Sequence, residues 1–135
     1  MSTQDRSDVI DLLARLALAL DDRRYEDLRT IYAEDARTSS PRGEMAGIDE
    51  IVALVTRVGS AEERTQHVNG TTVVDVDGDR AEVHSHQLVH YFRDGAAPHR
   101  TTGIHFRYTA ERRAEGWRLT RGQITPLWQN PAPSR

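Results

Sequence analysis

The sequence predicts an α+β domain in which three helices are followed by four long antiparallel strands, the sheet wrapping around the helices. Three observations carry this. Apolar residues in the first 58 positions recur at spacings of three and four, the period of a helix with one buried face. From Thr65 onward the period drops to two, as in strands that bury alternate side chains. Asp77-Gly78-Asp79, Asp94-Gly95 and Glu115-Gly116 then divide the second half at hairpin turns.

Ser7 and Asp8 read as caps for a first helix carrying Val9, Ile10, Leu12, Leu13, Leu16, Ala17 and Leu20 on one face. The pattern stops at Asp21-Asp22-Arg23-Arg24. A second, short helix buries Tyr25, Leu28, Ile31 and Tyr32 and ends at Glu34-Asp35, with Gly43 and Gly47 punctuating the loop that follows. The third helix starts near Ile48, with Asp49 and Glu50 where the dipole favours acids, and closes at Gly59-Ser60. Strands are expected over 71–76, 80–93, 101–109 and 117–128, with Ile104, Phe106 and Tyr108 on one face of the third. The proline-rich end reads as mobile, so the single domain expected over 1–135 has its core at about 7–128 and a flexible tail at 129–135.

Composition excludes several classes. A net charge of −3 offers no basic face to nucleic acid. The absence of cysteine rules out disulfides and thiolate chemistry. No apolar run approaches the roughly 20 residues of a membrane span, and the first residues lack a signal-peptide core, so a cytoplasmic protein with no membrane partner is expected. Asp75 to Asp79 fails calcium-loop spacing at Arg80 and His86. His84, His86 and His90 share one strand face, but the outer pair is about 20 Å apart and the inner pair lacks a third ligand. No metal and no cofactor are therefore expected.

Two residues are suited to proton transfer, Asp21 at a helix end and His67 where the stranded half begins. A carboxylate that accepts the imidazole N–H fixes the tautomer and leaves the other nitrogen free to take a proton. Without further context, each has an ordinary structural role open to it: a solvated helix-end acid, and a histidine satisfied within a strand.

The segment Leu-Asp-x-x-x-Tyr-x-x-Leu (20–28), Glu34-Asp35-Ala36, Arg64-Thr65-Gln66-His67, the Asp77-Gly78-Asp79 turn and Gly116-Trp117-Arg118-Leu119 occur in an order and spacing that resemble the SnoaL-like branch of the nuclear transport factor 2-like superfamily. Thr65-Gln66-His67 with Gly70-Thr71 is similar to scytalone dehydratase. The resemblance implies a cone of three helices packed in a curved, mostly antiparallel sheet around an apolar pocket. It selects Asp21 over Asp22, which a helix turns about 100° away, and implies that Asp21 orients His67 as general base.

The surroundings depart from that pattern. Leu20 stands where the dehydratases carry a tyrosine, and a second tyrosine falls near Ser39. The paired serine and asparagine of the third strand fall near Thr101 and Gly103, and the second pocket histidine on Phe92 or, with a bulge, His90. His86 matches a histidine-glutamine-leucine run. Arg121 matches an arginine that dehydrochlorinase-type members use for the leaving anion, although pairing with Glu111 or Glu115 is the ordinary role for it. Trp128 and Leu127 cap the pocket or meet a neighbouring subunit.

The resulting expectation is a cofactor-independent lyase of dehydratase type acting on a hydrophobic carbonyl compound. His67 and Asp21 are catalytic, while His86, His90, Phe92, Thr101, Arg121 and Trp128 contact substrate. The alternatives are a polyketide cyclase or ketosteroid-type isomerase using the same pocket, and a non-catalytic binding module. A homodimer or homotrimer is expected from the resemblance.

Overall fold

The computed structural model describes residues 3–59 and 61–133. Helix α1 (Thr3–Asp21) leads into a 3₁₀ segment (Tyr25–Thr30), strands β1 (Tyr32–Ser40) and β2 (Gly43–Ala46), and helix α2 (Ile48–Val58). Strands β3 (Arg64–Asp77), β4 (Arg80–Phe92), β5 (Arg100–Arg113) and β6 (Gly116–Asn130) follow. All six strands form one sheet in the order β2-β1-β6-β5-β4-β3, antiparallel except where β1 runs beside β6.

The α+β architecture agrees with the sequence; the first half needs correction. The second helix is a single 3₁₀ segment ending at Thr30, so Tyr32 belongs to a strand. What reads as a loop around Gly43 is the β1–β2 hairpin. Its strands are charged and only irregularly buried, which hides the period of two. Helix α1 already includes Thr3, so Ser7 and Asp8 lie inside it, and Asp8 accepts from Gln4 Nε2 at 2.7 Å. Strand β3 begins at Arg64, seven residues before the expected start, and Gln129 and Asn130 finish β6 instead of opening a tail. Ser60, Ser134 and Arg135 lie outside the described residues.

Helix α1 ends by a specific device. The Arg24 N–H reaches Ala19 O at 2.8 Å, the Arg23 N–H reaches Leu20 O at 3.2 Å, and Arg23 takes a left-handed φ of 57°. This is the Schellman pattern, here with a non-glycine residue in the αL position. It fixes Asp21 as the last helical residue.

The two sheet faces differ sharply. On β4, Ala81, Val83, Ser85 and Val89 are at most 2% exposed, whereas His86 and Leu88 between them are exposed. Register carries the buried face to Val74 on β3 and to Phe106, Tyr108 and Ala110 on β5. These join Val9, Leu12, Leu13 and Leu16 of α1 and Ile48, Ile51 and Val52 of α2 in one core. The inner face is thus the helix-covered one, and the outer face carries the alternate residues.

Candidate active site

Asp21 and His67 meet at the junction of α1 and β3. His67 Nδ1 lies 2.6 Å from Asp21 Oδ1, and the His67 backbone N–H donates to Asp21 Oδ2 at 2.9 Å. The Thr65 hydroxyl donates to Oδ1 at 3.1 Å. One carboxylate therefore gathers three donors from two residues of β3. A negative charge at a helix C-terminus faces the unfavourable end of the dipole, so these donors are what hold it there. The Asp21 and His67 side chains are 16% and 15% exposed. Because an ionised carboxylate only accepts, Nδ1 carries the proton, and in the neutral imidazole Nε2 keeps its lone pair. Nε2 has no hydrogen-bond partner and is not among the sealed, unsatisfied atoms, so it is open to an incoming molecule. Asp22 is turned away to solvent beside Arg24.

A bulge in β3 aims His67. Asn69 opposes Gln87 and Thr72 opposes Ser85, so Gly70 and Thr71 together face His86 alone. Counting in twos back from Asp77 would put His67 on the outer face, opposite His90. The extra residue moves it opposite Val89, on the helix side. Gly70 suits the close approach: a Cβ there would lie 3.2 Å from His86 O.

The six residues expected to contact substrate do not join the pair. His86, His90 and Phe92 occupy the outer parity of β4, and Thr101 opposes His90, whose Nδ1 is 2.8 Å from the Thr101 hydroxyl. Trp128 opposes Gly103 on that same face and covers it closely, since a Cβ on Gly103 would come within 2.3 Å of the indole. Arg121 is also outward, opposite Thr109, and pairs with neither Glu111 nor Glu115. The face carrying these six is opposite the one carrying His67, so the alternation of the strands separates them from it.

The polar residues that share the His67 face are different ones, and residue type alone did not single them out. Asn69 donates to Leu13 O at 3.3 Å and accepts from Gln87 Nε2 at 2.7 Å, tying α1, β3 and β4 together. Deeper in the core, the hydroxyls of Tyr32 and Tyr108 are 3.0 Å apart, and burial pushes both phenols above their ordinary range. Parity with His67, counted through the bulge, is the signal that would have found Asn69 and Gln87. Two shallow, open surface hollows lie elsewhere, and neither is lined by the pair. One of about 470 Å³ lies over β2, β1 and β6, and one of about 140 Å³ beneath Trp128. Among the described residues no group of histidines and acids is placed to hold a metal ion.

A helix-backed, curved six-stranded sheet with an acid–imidazole pair at its edge has clear relatives. The SnoaL-like domain model matches residues 1–122. The chain belongs to the SnoaL-like domain family. Among solved structures, this SnoaL-like chain is similar to an NTF2-like protein with a cystatin-like fold from Novosphingobium aromaticivorans. The TM-score is 0.79 at 27% identity, covering 92% of this chain and 82% of that one. It is also similar to a type 2 hexachlorocyclohexane dehydrochlorinase, LinA, with a TM-score of 0.81 at 18% identity over 95% and 91% of the two chains. A candidate scytalone dehydratase from Novosphingobium aromaticivorans gives 0.79 at 19% identity over 99% and 94%. No curated protein sequence matches the chain significantly. The family and the NTF2-like fold expected from the sequence are thereby shown, and no described helix is long and apolar enough to cross a membrane.

Proposed function

We propose that this SnoaL-like chain is a cofactor-independent lyase that eliminates water or another small leaving group from a hydrophobic, carbonyl-bearing molecule. One observation carries the proposal: the 2.6 Å contact that fixes the His67 tautomer and leaves Nε2 open. Nε2 removes the proton next to the substrate carbonyl, and the electron pair of that C–H bond forms the new C=C bond as the neighbouring C–O bond breaks. The departing hydroxyl takes the proton back from the imidazolium and leaves as water. Asp21 stabilises the imidazolium while it exists, and Thr65 with the His67 N–H keeps the carboxylate in place. Base help of this kind contributes about 10²–10⁴-fold. Two of the similar structures are named as a dehydrochlorinase and a candidate dehydratase, names that denote eliminations, and this supports the reading.

The test is proton exchange, which needs no knowledge of the leaving group. A panel of hydrophobic β-hydroxy ketones is incubated with the protein in D₂O and followed by NMR. Loss of the α-proton signal and appearance of enone are expected with the natural chain, and neither with His67→Ala. Exchange that survives His67→Ala would remove the general-base assignment.

A second reading, a binding module without turnover, is favoured by one fact: the hollows over β1, β2 and β6 and beneath Trp128 both lie away from the pair. It predicts that ligands bind without exchange and that His67→Ala leaves their affinity unchanged.

A further inference from the structure

On the outer face, strands β1 and β6 run parallel with Arg37 opposite Arg121 and Ser39 opposite Gln123. Neighbouring strands are about 4.8 Å apart, so two guanidinium groups rise side by side from one surface. Both residues are exposed, and neither makes an ion pair or a hydrogen bond. Five other arginines of this sheet, Arg64, Arg80, Arg100, Arg112 and Arg113, have a carboxylate partner, whereas Arg118 donates to Trp117 O and Arg107, opposite Gln123 on the same face, has none. Acids are not scarce, since the chain has 21 of them against 18 basic residues. Adjacent like charges on neighbouring strands are unfavourable unless something offsets them.

The acids nearest in register do not offset them. Glu82 reaches this row through Thr109, but its carboxylate already accepts from the Thr109 hydroxyl and from Arg80. Glu44 stands opposite Ser39 at the rim, exposed and unpaired. Between these residues lies the hollow of about 470 Å³, lined by Arg37, Thr38, Ser39, Glu44, Met45, Arg121, Gly122 and Gln123. That volume is in the range of small-molecule sites. On the outer face the lining offers two guanidinium groups, the Ser39 hydroxyl and the Gln123 amide, with the Glu44 carboxylate at the rim; Thr38, Met45 and Gly122 alternate with these, and Met45 packs against the core.

We infer that this groove is a binding site for a small organic oxyanion, a carboxylate or a phosphate clamped between Arg37 and Arg121. Each planar guanidinium presents paired N–H donors that match such groups bidentately. Ser39 and Gln123 donate to the remaining oxygens. The site is on the face opposite His67 and does not depend on the elimination chemistry.

The test uses the whole chain, isotopically labelled, titrated with benzoate and with inorganic phosphate in 150 mM salt. Saturable amide shifts confined to residues 37–39, 44–45 and 121–123 are expected. Saturation by benzoate alone assigns a carboxylate, by phosphate alone a phosphate ligand, and by both an oxyanion site without discrimination. Arg37→Gln and Arg121→Gln should each weaken binding about tenfold or more, while Arg93→Gln, which removes the same charge elsewhere, should not. Arg37→Lys keeps the charge without the fork, preserves the fold if either glutamine variant loses it, and should still weaken binding. The inference is overturned if neither probe saturates, or if the variants bind as the natural chain does. It is equally overturned if the groove amides respond to protein concentration instead of to either anion, because the face would then be a contact between copies.

Discussion

Asp21 and His67 should be energetically coupled, and a double-mutant cycle measures by how much. The perturbations are Asp21→Asn, His67→Ala and the two together. Asparagine keeps the shape of Asp21 but replaces one acceptor oxygen by a donor, so at least one of the three donors (Thr65 Oγ1, His67 N, His67 Nδ1) loses its partner. A hydrogen bond to a charged group is worth about 1.5–3 kcal/mol. Against this, neutralising a carboxylate at the end of α1 recovers about 0.3–1 kcal/mol of dipole repulsion. The net loss for Asp21→Asn is then roughly 1–2.5 kcal/mol. His67→Ala removes the imidazole but leaves the Thr65 and backbone donors, costing about 1–2 kcal/mol. Because both changes delete the same 2.6 Å contact, the double variant should be more stable than the sum predicts by about 1–2 kcal/mol. Urea unfolding of the four proteins, with unchanged m-values, gives the number. A coupling below about 0.3 kcal/mol, the level at which independent sites add, would mean that the pair is not held in solution and would remove the basis of the proposed base.

Four further outcomes rest on the core, the surface and the sheet. Tyr32→Phe or Tyr108→Phe should each cost about 1–3 kcal/mol by stranding a buried hydroxyl, whereas the double phenylalanine variant should be closer to the natural stability. Burial holds both phenols protonated above their ordinary range, so the stability they carry is complete below about pH 10 and is lost as pH climbs above it; circular dichroism should show alkaline unfolding that the double variant delays. The Arg112 hydrogen bond, opposed by partial burial, holds the Asp5 carboxyl below the usual carboxylate range, so the stability it contributes is present at neutral pH and is lost as pH falls through that lowered value. Asp5→Asn should therefore melt earlier at pH 7, by an amount that vanishes under strongly acid conditions. Finally, Gly103→Ala must displace the Trp128 ring, which a Cβ would approach within 2.3 Å, and should shift the emission of that exposed tryptophan while the buried Trp117 is unchanged.

The amphipathic period of α1 and α2 and the long strands β4, β5 and β6 were legible because one face of each packs on the core. Strands β1 and β2 were not, because Glu34, Asp35, Arg37 and Glu44 are exposed where a period of two would call for a simple alternation. Asp21 and His67 were found as a pair through motif and resemblance, and geometry brings them into contact. Their expected companions are carried on the opposite face of the sheet. Alternation along β4 groups His86, His90 and Phe92 correctly with one another, but the phase between β4 and the His67 end of β3 is set by an extra residue that pattern counting passes over. The pairing of Arg37 with Arg121 was equally invisible, because it depends on a parallel contact between strands more than 80 positions apart.

The bulge at Gly70-Thr71 also makes β3 a strand read in two frames. Residues 72–77 present even positions to the core, while residues 64–69 present odd ones. Closing the bulge, with Thr71 paired to His86 and Gly70 to Gln87, would slide residues 64–69 by one position, turning His67 outward opposite His90 and carrying Gln66 inward without changing one side chain of either helix. The distance between a chain that can hold an acid–imidazole pair and one that cannot is thus one step of register in a solvent-facing stretch of strand, and substitutions in the pocket are not the only route by which this fold can lose or regain such a pair.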